Sequence, residues 1–260
     1  MAEVIRIGVA GALGRMGRAV EALVAGREDL RLAARLDRPG ASDAGASQTP
    51  LTDFAKAASV CDVIVDFSTA AASAALAAAA ATRGGPALVI GATGFSSAED
   101  EQVRAAAERI AIVRSGNFSL GVNLLAALVE EAARRLPAAD WDIEILEAHH
   151  RRKVDAPSGT ALLLGEAASH GRGEALDAQA LAGRSGITGE RPSGGVGFAS
   201  LRGGGIIGEH AVIFAGEEET ITLSHSARDR ALFARGALTA ARWVRGKSPG
   251  LYGMREVLGF

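Results

Sequence analysis

Two histidines, three fixed cations and a helix start fall within one short run, Glu147-Ala-His-His-Arg-Arg-Lys-Val-Asp-Ala-Pro-Ser-Gly-Thr160. Histidine exchanges a proton near neutral pH, whereas Arg151, Arg152 and Lys153 hold positive charge throughout that range. Crowding these cations together costs repulsion unless an anion relieves it. Pro157-Ser158-Gly159-Thr160 then opens an Ala/Leu-rich helix, whose first-turn amides and positive dipole end favour a carboxylate. The combination suits a substrate that is anionic and must receive a proton. A strand over residues 141–147, with Ile143 and Ile145 on one face, would deliver His149 and His150 at its carboxyl end. A merely solvated basic turn gains nothing from adjacent histidines.

A second chemical feature stands near the beginning of the chain. Val4-Ile-Arg-Ile-Gly-Val-Ala10 reads as a buried strand and runs into Gly11-Ala-Leu-Gly14-Arg15-Met16-Gly17, after which a helix continues. Glycines placed between a strand and a helix let the backbone turn tightly and approach a pyrophosphate, so this is read as a dinucleotide loop of GxxGxxG spacing. The next strand, over residues 30–36, ends at Asp37, twenty residues beyond Gly17. A carboxylate there is placed to accept hydrogen bonds from the adenine-ribose hydroxyls. Arg38 follows at once. A carboxylate repels a 2′-phosphate and a guanidinium pairs with one, so both NADH and NADPH remain candidate coenzymes.

These loops need a scaffold, and the first 120 residues supply the pattern for one. Strands are expected near 4–10, 30–36, 61–66, 87–90 and 110–113, with helices near 15–26, 70–83 and 97–108. Such alternation is the mark of an α/β fold with a Rossmann-type doubly wound parallel sheet. Loops following its strands should gather at the sheet's carboxyl edge, which brings Gly91 and Thr93 toward the nicotinamide ribose. From about residue 121 the pattern changes. A long helix over 122–136 precedes the histidine loop, then a glycine-rich stretch over 171–205, then strand-like segments at 211–214 and 219–223. These suggest a second α+β domain on a mixed or antiparallel sheet. A final helix over 232–243 would return to the first domain. The expected division is therefore 1–120 plus 231–260 for dinucleotide binding and 121–230 for substrate binding and oligomerisation.

Composition narrows the classes. Among 260 residues, 28 Lys and Arg against 30 Asp and Glu give a net charge of −2, which argues against a nucleic-acid or membrane-surface binder. With 48% hydrophobic residues the chain can build a sizeable core. Cys61 is the single cysteine, read as a small residue on a buried strand. No Cys or His spacing suggests a metal site. The alanine-rich run over 67–82 is too short and too weakly apolar to span a membrane, and Ser68 or Thr69 would cap it as a helix. The amino terminus lacks the basic and apolar regions of a secretory signal, so a cytoplasmic location is expected.

With these residues in view, the chain resembles the 4-hydroxy-tetrahydrodipicolinate reductase family, also called dihydrodipicolinate reductase, of lysine and diaminopimelate biosynthesis. The resemblance covers nearly the whole chain. It is carried by residues 11–17, Asp37-Arg38, Gly91-Ala-Thr-Gly-Phe95, Gly116-Asn-Phe-Ser119, the specific run 147–160, Arg184-Ser-Gly-Ile-Thr-Gly-Glu-Arg191 and Gly208-Glu-His210. It implies hydride transfer from NADH or NADPH to a cyclic imine carrying two carboxylates, in a homotetramer held by sheets of the second domain. His149 would donate the proton, and Lys153 would bind a carboxylate and compete for the donor role. His150, Ser158, Gly159 and Thr160 would hold substrate. Gly11, Gly14, Arg15, Met16, Gly17, Asp37, Arg38, Gly91, Thr93, Ser115, Phe118 and Arg230 would line the coenzyme. Asp37 stands where some relatives carry glutamate, and Arg152 where many carry another basic residue. Neither departure alters the reaction implied.

Overall fold

The computed structural model describes residues 3–38, 40–41, 51–181 and 183–260. Its elements in chain order are β1 (Ile5–Ala10), α1 (Arg15–Ala25), β2 (Leu30–Leu36), α2 (Phe54–Val60), β3 (Val63–Asp66), α3 (Ala70–Arg83), β4 (Ala87–Ile90), α4 (Ser97–Ala107) and β5 (Ala111–Arg114). There follow α5 (Leu120–Arg135), β6 (Asp142–His149), α6 (Gly159–Gly171), α7 (Leu176–Gln179), β7 (Ala180–Leu181), β8 (Val196–Arg202), β9 (Glu209–Ala215) and β10 (Thr220–Ser226). The chain closes with α8 (Ala231–Val244), β11 (Gly250–Tyr252) and α9 (Met254–Leu258). It forms two compact units, one of residues up to Leu120 together with Ala231–Phe260, the other Gly121–Arg230.

The first unit is a six-stranded sheet in the order β11-β5-β4-β3-β1-β2, with every pairing parallel. Both faces are covered. Ile7, Val9, Val65 and Val89 pack with residues of α1 and α8, while Ile64, Leu88, Ile90 and Ile112 pack with α3 and α4. Side chains of successive strand residues point to opposite faces, so continuous apolar runs such as Val63-Ile-Val65 are what a doubly covered sheet requires. On α3 the buried residues are Ser73, Ala74, Ala77, Ala80 and Ala81, small side chains that let the helix lie close. Thr69 caps it by accepting from the Ala72 amide at 3.3 Å, a contact worth about 1 kcal/mol. Gly84, at φ +74°, ends it in the left-handed conformation that glycine tolerates best.

The second unit is a five-stranded mixed sheet, order β10-β9-β6-β8-β7. β6 pairs parallel with β8 and antiparallel with β9, which places it at the sheet's centre. One face carries the core of Ile143, Ile145, Val196, Val212 and Phe214, packed with Leu125 and Val129 of α5 and Leu164 and Ala168 of α6. The opposite face leaves Leu146 43% and Leu201 55% exposed.

The structure departs from the sequence reading in several places. Cys61 is not on a strand; it is the buried C-cap residue of α2, and β3 begins at Val63. The glycine-rich stretch contains α7, β7 and all of β8. The helix near 232–243 is not the last, since β11 and α9 follow. Among the described residues no helix is long and apolar enough to cross a membrane, and no group of three or more His, Cys, Asp or Glu could hold a metal ion.

Candidate active site

In the first unit the loop between β1 and α1 is shaped by backbone contacts. Gly11 adopts φ +71°, and the Gly14 amide donates to its carbonyl at 3.0 Å. A Cβ on Gly17 would fall 2.2 Å from that same carbonyl oxygen, so only glycine lets α1 begin so close to the turn. No side chain caps α1 at Gly14 and no acidic residue stands in its first turn. Its leading amides and dipole are thereby suited to an anionic group.

A cavity of about 720 Å³ is lined by Gly11, Gly14, Asp37, Arg38, Phe67 and Leu76, among others. The size suits a cofactor-scale ligand. Asp37 reaches back to the loop, one oxygen accepting from the Leu13 amide at 2.8 Å and the other from the Arg38 amide at 2.9 Å. The carboxylate thus positions the loop as well as bordering the cavity. Arg15 is exposed and Met16 half-buried beside it in sequence.

The remaining coenzyme candidates are distributed differently. Gly91 follows β4, where a Cβ would come 2.2 Å from the Phe67 ring. Thr93 is exposed near Gly116. The Ser115 hydroxyl donates to the Asn117 carbonyl at 2.7 Å and accepts from the Asn117 amide at 3.1 Å, which fixes the turn after β5. Phe118 is 2% exposed, its ring edge-on to Phe67 at 5.9 Å, so its side chain belongs to the core. Arg230 lies in the second unit, where it donates to Nε2 of His150 at 3.2 Å.

In the second unit the chemistry collects at the end of β6. Alternation along that strand puts Ile143, Ile145, Glu147 and His149 on the covered face. Glu147, 3% exposed, accepts at Oε2 from the His149 ring nitrogen Nδ1 at 2.6 Å and at Oε1 from the Ser158 amide at 3.1 Å. Arg202 on β8 forks the same carboxylate at 2.6 and 2.7 Å. Burial alone would raise the Glu147 carboxyl, but the bonds from Arg202, His149 and Ser200 prevail and hold it at about 2. It is a fixed anion.

Ser158 is the N-cap of α6: its hydroxyl accepts from the Ala161 amide at 3.1 Å and meets His210 Nε2 at 3.0 Å. Burial pushes His210 down to about 4, with the charge of His149 adding to the effect, so it is neutral near pH 7. The His149 and His210 rings meet edge to face at 5.1 Å. Gly159 and Thr160 form the first turn of α6 beside this cluster. Lys153 is half-buried and gives both Asp155 oxygens a hydrogen bond, at 2.8 and 2.7 Å. Arg151 and Arg152 are exposed. The three adjacent cations therefore do not converge as one group: Lys153 has a carboxylate partner, and the guanidinium tied to the histidine's support is Arg202.

Sequence reasoning passed over Glu147, Arg202 and His210 as functional residues. Glu147 had a signal, lying two positions before His149 and so on the same strand face. The register supplies the others, pairing His149 with Arg202 and Glu147 with His210. The arginines of the 184–191 run have another task. Arg184 pairs with Glu144, and Arg191 bonds Glu144 at 2.9 Å, Asp142 at 2.6 Å and the Ile143 carbonyl at 2.9 Å, stapling their loop to β6.

The dihydrodipicolinate reductase N-terminal family matches residues 5–118, and the dihydrodipicolinate reductase C-terminal family matches residues 121–258. A 4-hydroxy-tetrahydrodipicolinate reductase of Caulobacter vibrioides is 58% identical, over 100% of this chain and 99% of the relative. One of Rhizobium rhizogenes is 53% identical over 99% and 97%. Among solved structures, a dipicolinate-bound dihydrodipicolinate reductase from Paenisporosarcina sp. TG-14 shares the fold, with TM-score 0.79 at 24% identity over 97% of this chain and 99% of that one. With both halves matched in order and the relatives alike from end to end, the chain belongs to the dihydrodipicolinate reductase family.

Proposed function

We propose that this protein reduces 4-hydroxy-tetrahydrodipicolinate, by way of dihydrodipicolinate, to tetrahydrodipicolinate with NADH or NADPH, in lysine and diaminopimelate biosynthesis. The relatives' shared name supports the reaction. The observation that carries it is the end of β6, where one buried carboxylate holds a histidine and the start of a helix together. A proton donor and a carboxylate receptor side by side are what a dicarboxylate imine needs.

The residues take their parts as follows. Gly11, Gly14 and Gly17 let the α1 amides meet the coenzyme's phosphates, and Asp37 with Arg38 borders its adenine ribose. When bound, the reduced nicotinamide supplies the hydride. His149, with Nδ1 turned to Glu147, presents Nε2 for the proton, a role typically worth about 10²–10⁴ in rate. Lys153 is the competing donor and the cation for one substrate carboxylate. The first turn of α6 receives the other by the amides of Gly159 and Thr160 and the dipole, with Ser158 fixing where the helix starts. His150, steadied by Arg230, completes the substrate side.

A homotetramer belongs to the same reading, supported by the exposed Leu146 and Leu201 on the uncovered sheet face, which a second sheet would cover. So does a cytoplasmic location, which follows from the biosynthetic role. The test couples the purified protein to a synthase forming the cyclic imine from pyruvate and aspartate semialdehyde, and follows the absorbance of NADH and NADPH separately. Oxidation that requires the full mixture is expected. Silence with both coenzymes, from folded protein that binds them, would overturn the assignment.

A further inference from the structure

We propose that Glu147 is a positioning residue for this reaction: braced by Arg202, its carboxylate fixes His149 with the hydrogen on Nδ1, so that Nε2 is the nitrogen offered for proton transfer, and it fixes Ser158 at the start of α6 with the same group. The inference rests on the reading of His149 as proton donor.

A carboxylate at its ionised extreme only accepts hydrogen bonds, so the ring nitrogen 2.6 Å from it must carry hydrogen. The tautomer is thereby dictated. Nε2 is left facing Gly208, where a Cβ would lie 3.2 Å away, so the absence of a side chain there keeps the approach to that nitrogen open. On another side the His210 ring, roughly perpendicular at 5.1 Å, restrains the imidazole of His149.

Glu147 could not be so deeply buried on the strength of His149 alone, because a buried charge is costly unless its oxygens are satisfied. Arg202 supplies the fork, and its outer nitrogen also donates to the Asp155 carbonyl at 2.8 Å, holding the loop that carries Lys153. Ser158's amide takes the remaining direction at Oε1. A structural ion pair would be complete with Arg202. The added bonds join the proton donor and the carboxylate receptor to a single atom group, so a small displacement of Glu147 would misplace both. Among the charged and titratable groups on the elements around His149 are Glu147 on its own strand, Arg202 on β8, His210 on β9 with His225 beyond it on β10, and Lys153 and Asp155 on the loop after β6.

The test compares Glu147→Gln, Arg202→Met and His149→Gln, measuring kcat against pH, KM for the imine and coenzyme Kd. In wild type, kcat should fall at alkaline pH as the donor loses its proton. Glu147→Gln removes the anion that favours the imidazolium, so this limb should move to lower pH and kcat should drop about 10–100-fold. Arg202→Met strips the carboxylate of its guanidinium, so the limb should move to higher pH. Coenzyme Kd should be unchanged in all three. Opposed displacements are the signature, since a general loosening would move both variants alike. If His149→Gln abolishes turnover while the limb stays put in both other variants, or moves in the same direction in both, the positioning role is overturned. Should Glu147→Gln not fold, an unmoved limb in Arg202→Met suffices to overturn it. Unaltered turnover in His149→Gln would instead overturn the donor reading beneath it.

Discussion

In the unit built on the six-stranded sheet the candidate site is made of backbone, with Gly11, Gly14 and Gly17 clearing the start of α1. In the unit built on the five-stranded sheet it is made of side chains held by other side chains, with His149 set by Glu147 and Glu147 by Arg202. The first arrangement does not tolerate a single added carbon at Gly17. The second depends on charges that lie far apart in the chain and is sensitive to pH. A coenzyme shared by many reactions needs only a shaped cradle, whereas a particular substrate needs a donor aimed at one atom.

The contrast can be broken at its strongest point first. His149→Gln should lower kcat by about 10²–10⁴ and leave coenzyme Kd within error, as read by steady-state kinetics and coenzyme fluorescence. Gly17→Val should do the reverse. Its side chain would meet the Gly11 carbonyl, costing about 3 kcal/mol of stability and weakening coenzyme binding at least ~10-fold, to be followed by thermal melting and titration.

Acid should act mainly through the second unit. His210 is held down at about 4 from an ordinary 6.5 by burial first and by the charge of His149 second. Between those values the unfolded chain takes up a proton that the folded one refuses, so stability is whole above pH 6.5 and declines as pH falls toward 4. The loss should be on the order of 2–3 kcal/mol, measured as denaturation midpoints across that window, and His210→Gln should flatten it. Glu147, held at about 2 against an ordinary 4.5, adds its own loss only as pH falls below 4.5.

Smaller effects sharpen the comparison. Arg38→Ala should raise KM for NADPH about 10-fold and change that for NADH little, since only the former carries a phosphate for the guanidinium. Arg184→Met should cost under ~1 kcal/mol, because its side chain is 37% exposed and Arg191 still holds Glu144.

What could be read from the chain follows the same division. Gly11 to Asp37 is contiguous strand, turn, helix and strand, so the local pattern contains the whole cradle, and the α/β alternation extends it to the parallel sheet. The histidine run is equally contiguous, which is why His149, Lys153 and Ser158 stood out. Arg202 and His210 did not, because nothing near them in sequence announces that β8 and β9 will flank β6. β8 itself was hidden by the glycines before it. The seven-residue α2, three-residue β11 and five-residue α9 are too short to show a period. The resemblance assigns Phe118 and Arg230 to the coenzyme; the first has its side chain in the core and the second bonds to His150, neighbours that no local pattern announces.

Phe67 has one further implication, for how this sequence can diversify. Its carbonyl lies where a Cβ on Gly11 would come to 2.7 Å, and its ring where one on Gly91 would come to 2.2 Å. Two loops separated by three strands' worth of chain are thus constrained by one residue, the first by its backbone and the second by its aromatic ring. A change at position 91 alone should be lost from a mutational library, and should survive when position 67 shrinks with it. In the descendants of this chain, positions 67 and 91 should vary together or not at all.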